Sequence, residues 1–191
     1  MTFLPLILLC VLLALAVWND LRTRRIPNAL VFGGAVLGLI LNTALPPGDG
    51  LFIQVFGGIG FLKALAGLAV GLLLLLPMYA MRALGAGDVK LLAMIGAFVG
   101  PGAVTGIWLL TLLAGGVLAL VVAGFNGRLK PMVYNTWHLL KYSMLRSLAG
   151  EVPKMDAPAT PSGRLPYAVA IAAGAAPYLI FGASTGRSLF F

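Results

Sequence analysis

Charge is what this sequence has least of. Only 9% of its 191 residues are Asp, Glu, Lys or Arg, against roughly 25% in a typical soluble domain. A soluble protein with so few charges could not cover its own surface, which excludes a disordered chain, a coiled coil and an ordinary cytosolic enzyme. The one cysteine, Cys10, excludes an internal disulfide. Cys10 and the one histidine, His138, cannot build a three- or four-ligand site, so neither metal nor cofactor is expected.

Apolar residues make up 61% of the chain, and charge-free runs cover 1–19, 26–48, 64–81, 91–127 and 165–186. A spanning helix needs about 20 apolar residues, within a usable range of roughly 17–25. Run 91–127 is therefore too long for one span, and it divides at the turn signal Gly100-Pro101-Gly102. The expected fold is all-α, a polytopic membrane protein forming a single domain over 1–191. Its six spans fall at about 2–18, 28–45, 64–81, 86–99, 102–124 and 166–184. The short, Gly-broken stretch 51–63 reads as interfacial or re-entrant. The mixed stretch 134–148, with Lys141 and Arg146 among apolar residues, reads as a helix lying on the membrane surface. No Lys or Arg precedes the first run, so it reads as a span and not as a cleaved signal peptide.

The formal charge of +8 invites a nucleic-acid reading. The cations lie mainly in short connections between apolar runs, not on a soluble basic face, so no nucleic acid is expected. Loops 19–27, 82–90 and 125–165 share one side and hold eleven of the thirteen Lys and Arg, leaving only Lys63 and Arg187 opposite. The positive-inside rule makes that side cytoplasmic and puts both termini outside, with anionic lipid of the inner leaflet as a partner. Between spans, lipid offers no hydrophobic drive, so Gly34, Gly38 and Gly115-Gly116 are expected to be packing positions.

Only five residues are acidic. Asp49, in Pro46-Pro47-Gly48-Asp49-Gly50, reads as a turn residue on the outer side. Glu151 and Asp156 lie in a Pro-rich loop on the basic side. Asp20 and Asp88 fall where a span meets that side, and an ionisable group near membrane depth is costly enough to suggest function. Asp88 begins a short span and follows Gly85-Ala86-Gly87, where glycines permit close approach of an extended peptide. Gly85, Gly87 and Lys90 are thus candidate substrate contacts. Two carboxylates on one face can divide the work of hydrolysis. The ionised one activates water, and the protonated one polarises a carbonyl. Asp88 as a helix cap, and Asp20 as a partner of Arg24 or Arg25, explain the same positions structurally.

Asp20-Leu21-Arg22-Thr23-Arg24-Arg25-Ile26-Pro27-Asn28 resembles the first signature of the type IV prepilin peptidases. Gly85-Ala86-Gly87-Asp88-Val89-Lys90 resembles their second, Gly-x-Gly-Asp followed by Val-Lys. The resemblance extends over roughly residues 3 to 184. It implies a membrane aspartic endopeptidase that removes the short basic leader of prepilins or pseudopilins at the cytoplasmic face of the bacterial inner membrane. It also implies that Asp20 and Asp88 are catalytic. Long members of that family carry a cysteine-rich part and methylate the new N-terminus. This chain has one cysteine and no such insert, so it resembles the short form serving Flp-type (tight adherence) pili, with cleavage expected and methylation not. In that setting the leader is basic, and Glu151 and Asp156 are the acids left to contact it. Two alternatives share parts of the pattern. Intramembrane proteases of the presenilin or signal-peptide-peptidase kind also carry Gly-x-Gly-Asp, though Ile26-Pro27-Asn28 and the small size argue against them. A small permease or assembly protein could use the two aspartates to carry protons or bind cations.

Overall fold

A computed structural model of the protein describes residues 3–52, 56–81, 84–125, 127, 134, 137–138, 141 and 166–186. The described residues form six α-helices: α1 (Phe3–Thr23), α2 (Asn28–Ala44), α3 (Phe61–Ala80), α4 (Ala86–Val99), α5 (Pro101–Phe125) and α6 (Tyr167–Thr185). Among them there is no β-strand, only isolated bridges pairing Pro47 with Gly58 and Gly50 with Phe56. Four helices, α1, α3, α5 and α6, are long and apolar enough to cross a membrane. α2 has 17 residues and α4 has 14. The chain separates into two compact units, one of Met1–Gly115 with Pro166–Phe191 and one of Gly116–Leu165.

The first unit is built around α4. Nine of its residues are buried, and Leu91, Leu92, Met94, Ile95, Ala97 and Phe98 are wholly so. It packs chiefly on α3, next on α2, and also touches α6 and α1. The α3–α4 seam depends on bare backbone. A Cβ at Gly67 would overlap the Gly96 carbonyl oxygen, and one at Gly96 would overlap that of Gly67. Gly34 faces Met94 and Gly38 faces Phe98, so both sit at the α2–α4 crossing. Outward faces carry large apolar side chains such as Ile7, Val11, Phe32, Val36, Leu62 and Leu73, the pattern of a bundle solvated by lipid.

Helix boundaries differ from the charge-based reading in two places. α1 continues past residue 18 to Thr23, so Asp20 lies inside a helix and not in a connection. α3 begins at Phe61, ahead of Lys63, because a long cation at a helix end can reach water without ending the helix. The stretch 51–63 therefore divides. Residues 46–52 and 56–60 lie between α2 and α3 and are tied by backbone hydrogen bonds, with Gly58 N–H donating to Pro46 O at 2.8 Å and Gly60 N–H to Asn42 O at 3.0 Å. Leu51 and Phe52, within this connection, are buried. α4 and α5 part at Gly100, whose φ of +84° suits glycine.

Buried Asn42 fastens this end of the bundle. Its Nδ2 donates to the carbonyls of Ala97 (2.9 Å) and Phe98 (3.0 Å), and its Oδ1 accepts from Ile59 N–H (3.2 Å). Most of 134–148 lies outside the described residues. The rings of Tyr134 and His138 lie with centroids 4.2 Å apart and planes tilted by 47°.

Candidate active site

The opposite end of the bundle gathers the C-terminus of α1 and the N-termini of α2, α4 and α6. Asp20 sits in the last turn of α1 and is only 8% exposed, the one charged side chain buried among the described residues. A buried carboxylate without partners would be very costly. Here its Oδ2 accepts the Ala168 backbone N–H at 3.3 Å. Ala168 lies in the first turn of α6, where an N–H has no partner inside the helix and the helix dipole favours negative charge. α1 closes with Arg24, whose N–H donates to Asp20 O at 2.9 Å and whose φ is +54°. That left-handed residue stops the helix one turn after the carboxylate, in a conformation usually left to glycine.

Asp88 occupies the first turn of α4. Its Oδ2 accepts Gly85 N–H at 3.0 Å while its own N–H donates to Gly85 O at 3.1 Å, the reciprocal arrangement of a helix cap. A cap uses one carboxylate oxygen and leaves the other unassigned. Asp88 lies within Coulombic reach of Asp20 and of Tyr167, the first residue of α6. Two aspartates 68 positions apart in sequence are thus neighbours, each at the positive end of a different helix.

The two motifs also meet through residues flanking the aspartates. Ile26 fills the space beside Gly87, with its Cβ 3.2 Å from where a Cβ on Gly87 would lie. Lys90 Nζ donates to Asn28 Oδ1 at 3.0 Å and stands 5.2 Å from the centre of the Phe32 ring. Gly85 is exposed, and a Cβ on it would meet the Asp88 carboxylate at 3.3 Å and the Gly87 backbone at 4.0 Å. Asp49 is exposed in a bend at the far end. Glu151 and Asp156 lie outside the described residues. No cluster of three potential metal ligands occurs among the described residues.

Ala168 and Tyr167 are the parts of this site that sequence reasoning missed. A backbone donor carries no residue signature. The available signal was Pro166 ahead of an apolar run, which marks a helix start but not what that start faces.

Comparison with protein-family models gives a match to the type IV leader peptidase family over residues 7–123. The match spans α1 to α4 and most of α5, includes both aspartates, and ends before α6. Searches of the curated proteins and of the solved structures give no significant match.

Proposed function

The chain belongs to the type IV leader peptidase family, and from that premise we propose that it is an aspartic endopeptidase that removes the short basic leader of type IV prepilins, those of Flp-type pili in particular. The proposal places the cut at the cytoplasmic face of a bacterial inner membrane, with both chain termini outside and no methylation of the product. What supports it is that Asp20 and Asp88, from separate motifs, lie at the same end of the bundle within Coulombic reach of one another.

In the proposed reaction the pair holds one proton between two carboxyls, because neighbouring carboxylates disfavour double ionisation. The ionised carboxylate takes a proton from a water molecule as the water oxygen attacks the scissile carbonyl carbon. The protonated carboxyl donates to the carbonyl oxygen. As the C–N bond breaks, the carboxyl that took the water's proton passes it to the leaving nitrogen. The other carboxylate takes back a proton from a hydroxyl of the tetrahedral diol as that collapses to the new carboxyl group, so the pair returns to its starting state. The donors at the starts of α4 and α6 hold the two side chains in register during these steps.

Co-expression with candidate prepilins, read by the mass of the processed product, tests the proposal. Leader removal is expected from the wild type and from Asp49→Asn. It is expected to be lost in Asp20→Asn and in Asp88→Asn, with membrane insertion retained. Processing that survives either change would leave a transport or assembly role as the better reading. Within the same proposal, Glu151 and Asp156 meet the leader's cations. Exposed ion pairs are worth about 0.2–1 kcal/mol each, so Glu151→Gln with Asp156→Asn is expected to raise KM modestly for a basic leader and not for a neutralised one.

A further inference from the structure

Lys90 lies two residues after Asp88, which at 3.6 residues per turn directs it to another side of α4. Its ammonium has three donors. One is spent on Asn28 Oδ1 at 3.0 Å, and the charge sits 5.2 Å from the Phe32 ring centre. Asn28 and Phe32 are four apart on α2 and so share a face. Beside them Ile26 fills the space at Gly87. All these contacts join residues 26–32 to residues 87–90, the two segments that flank the aspartates. Among the described residues the partners of the cation are a neutral amide and an aromatic face, and neither Asp20 nor Asp88 pairs with it.

We infer that Lys90 is a positioning residue, which with Asn28 and Phe32 latches the first turn of α4 to the first turns of α2 and so fixes the spacing of Asp20 and Asp88. The inference rests on the peptidase reading for its kinetic consequence but not for its geometry. It differs from a direct role in substrate binding, because it makes Asn28 as important as Lys90 and assigns both to the arrangement of the reacting groups.

Three variants test it kinetically on an unprocessed prepilin that the wild type cleaves: Lys90→Met, Asn28→Leu and the two combined. Misplacing a reacting group by about 1 Å costs up to about a hundredfold in rate. Each single change is therefore expected to lower kcat on the order of tenfold, with KM within about twofold of the wild type. The combined change is expected to be no worse than either alone, and Lys90→Arg, which keeps a cation and its donors, to retain most of the rate. A rise in KM at unchanged kcat for Lys90→Met, with Asn28→Leu silent, would overturn the latch in favour of a substrate contact. Multiplying losses in the combined variant would overturn it too.

A second measurement needs no peptidase activity. In a Cys10→Ser background, Asp20→Cys and Asp88→Cys are joined by a short bismaleimide, and the yield is compared with and without Lys90→Met. A several-fold lower yield with Lys90→Met is expected, and an unchanged yield would overturn the inference. If the wild type removes no leader, the proposed function falls, while the cross-linking yield still decides whether Lys90 sets the spacing.

Discussion

Asp20 loses water on nearly every side and keeps a single backbone donor from a helix that follows it by 148 positions. A hydrogen bond to a charged group contributes about 1.5–3 kcal/mol. Ala168→Pro deletes that donor, and the first turn of a helix tolerates proline. The change is expected to lower kcat by about ten- to a hundredfold, with helix content by circular dichroism unchanged. Full activity in this variant would mean that α6 does not serve the pair. The aspartates themselves were legible in the sequence because carboxylates are scarce and these two stand at the ends of apolar runs. What they touch was not legible. The amide of Ala168 looks like any other amide in an alanine-rich helix, and Lys90 reads equally well as a substrate contact or as the partner of Asn28.

At the scale of the helices, α3 and α4 come together as bare backbone. Gly67→Ala would push a Cβ into the Gly96 carbonyl, and the helices must separate to accept it. Overpacking of this kind costs about 1–3 kcal/mol, expected as a fall of several degrees in the unfolding temperature in detergent, at about 2–4 °C per kcal/mol for a chain of this size. Gly33→Ala, where a Cβ meets nothing within 4 Å, is the control and is expected to be silent. Asn42→Leu strands the carbonyls of Ala97 and Phe98 and the Ile59 N–H. Each stranded group costs about 1–3 kcal/mol, so the thermal shift is expected to exceed that of Gly67→Ala. Activity below the transition should persist, since Asn42 is at the end of the bundle away from the aspartates. The pair Gly34 and Gly38 was readable as a contact from its spacing of four. Gly67 and Gly71 have the same spacing, as do Gly96 and the cap residue Gly100, but which pair faces which becomes visible only when the helices are set side by side. Charges misled the boundary of α1 for a physical reason: a helix does not end at an aspartate whose burial depends on the helix continuing.

For the whole molecule, the proposed orientation makes the aspartate end cytoplasmic and the Asn42 end external. In a Cys10→Ser background, Asp49→Cys is expected to react with a membrane-impermeant maleimide in intact cells. Gly85→Cys is expected to react only after permeabilisation, and the reverse pattern would invert the topology.

The brevity of α4 has a further consequence, for the lipid. Fourteen residues rise about 21 Å, short of a hydrocarbon layer about 30 Å thick. On the rim of a bundle such a helix would oblige the bilayer to pinch around it. α4 is instead ringed by α1, α2, α3 and α6, and three of these have 19 residues or more. Acyl chains therefore meet α1, α3 and α6 at full height and the 17-residue α2 as the lowest wall, while α4 itself is shielded from them. On the proposed function, with the aspartates at the cytoplasmic end, water reaches the scissile bond without any deformation of the membrane. The rate in proteoliposomes should then be nearly constant as acyl chains lengthen over the range that α1, α3 and α6 can match. An enzyme that relied on pinching the bilayer would slow with every added methylene pair.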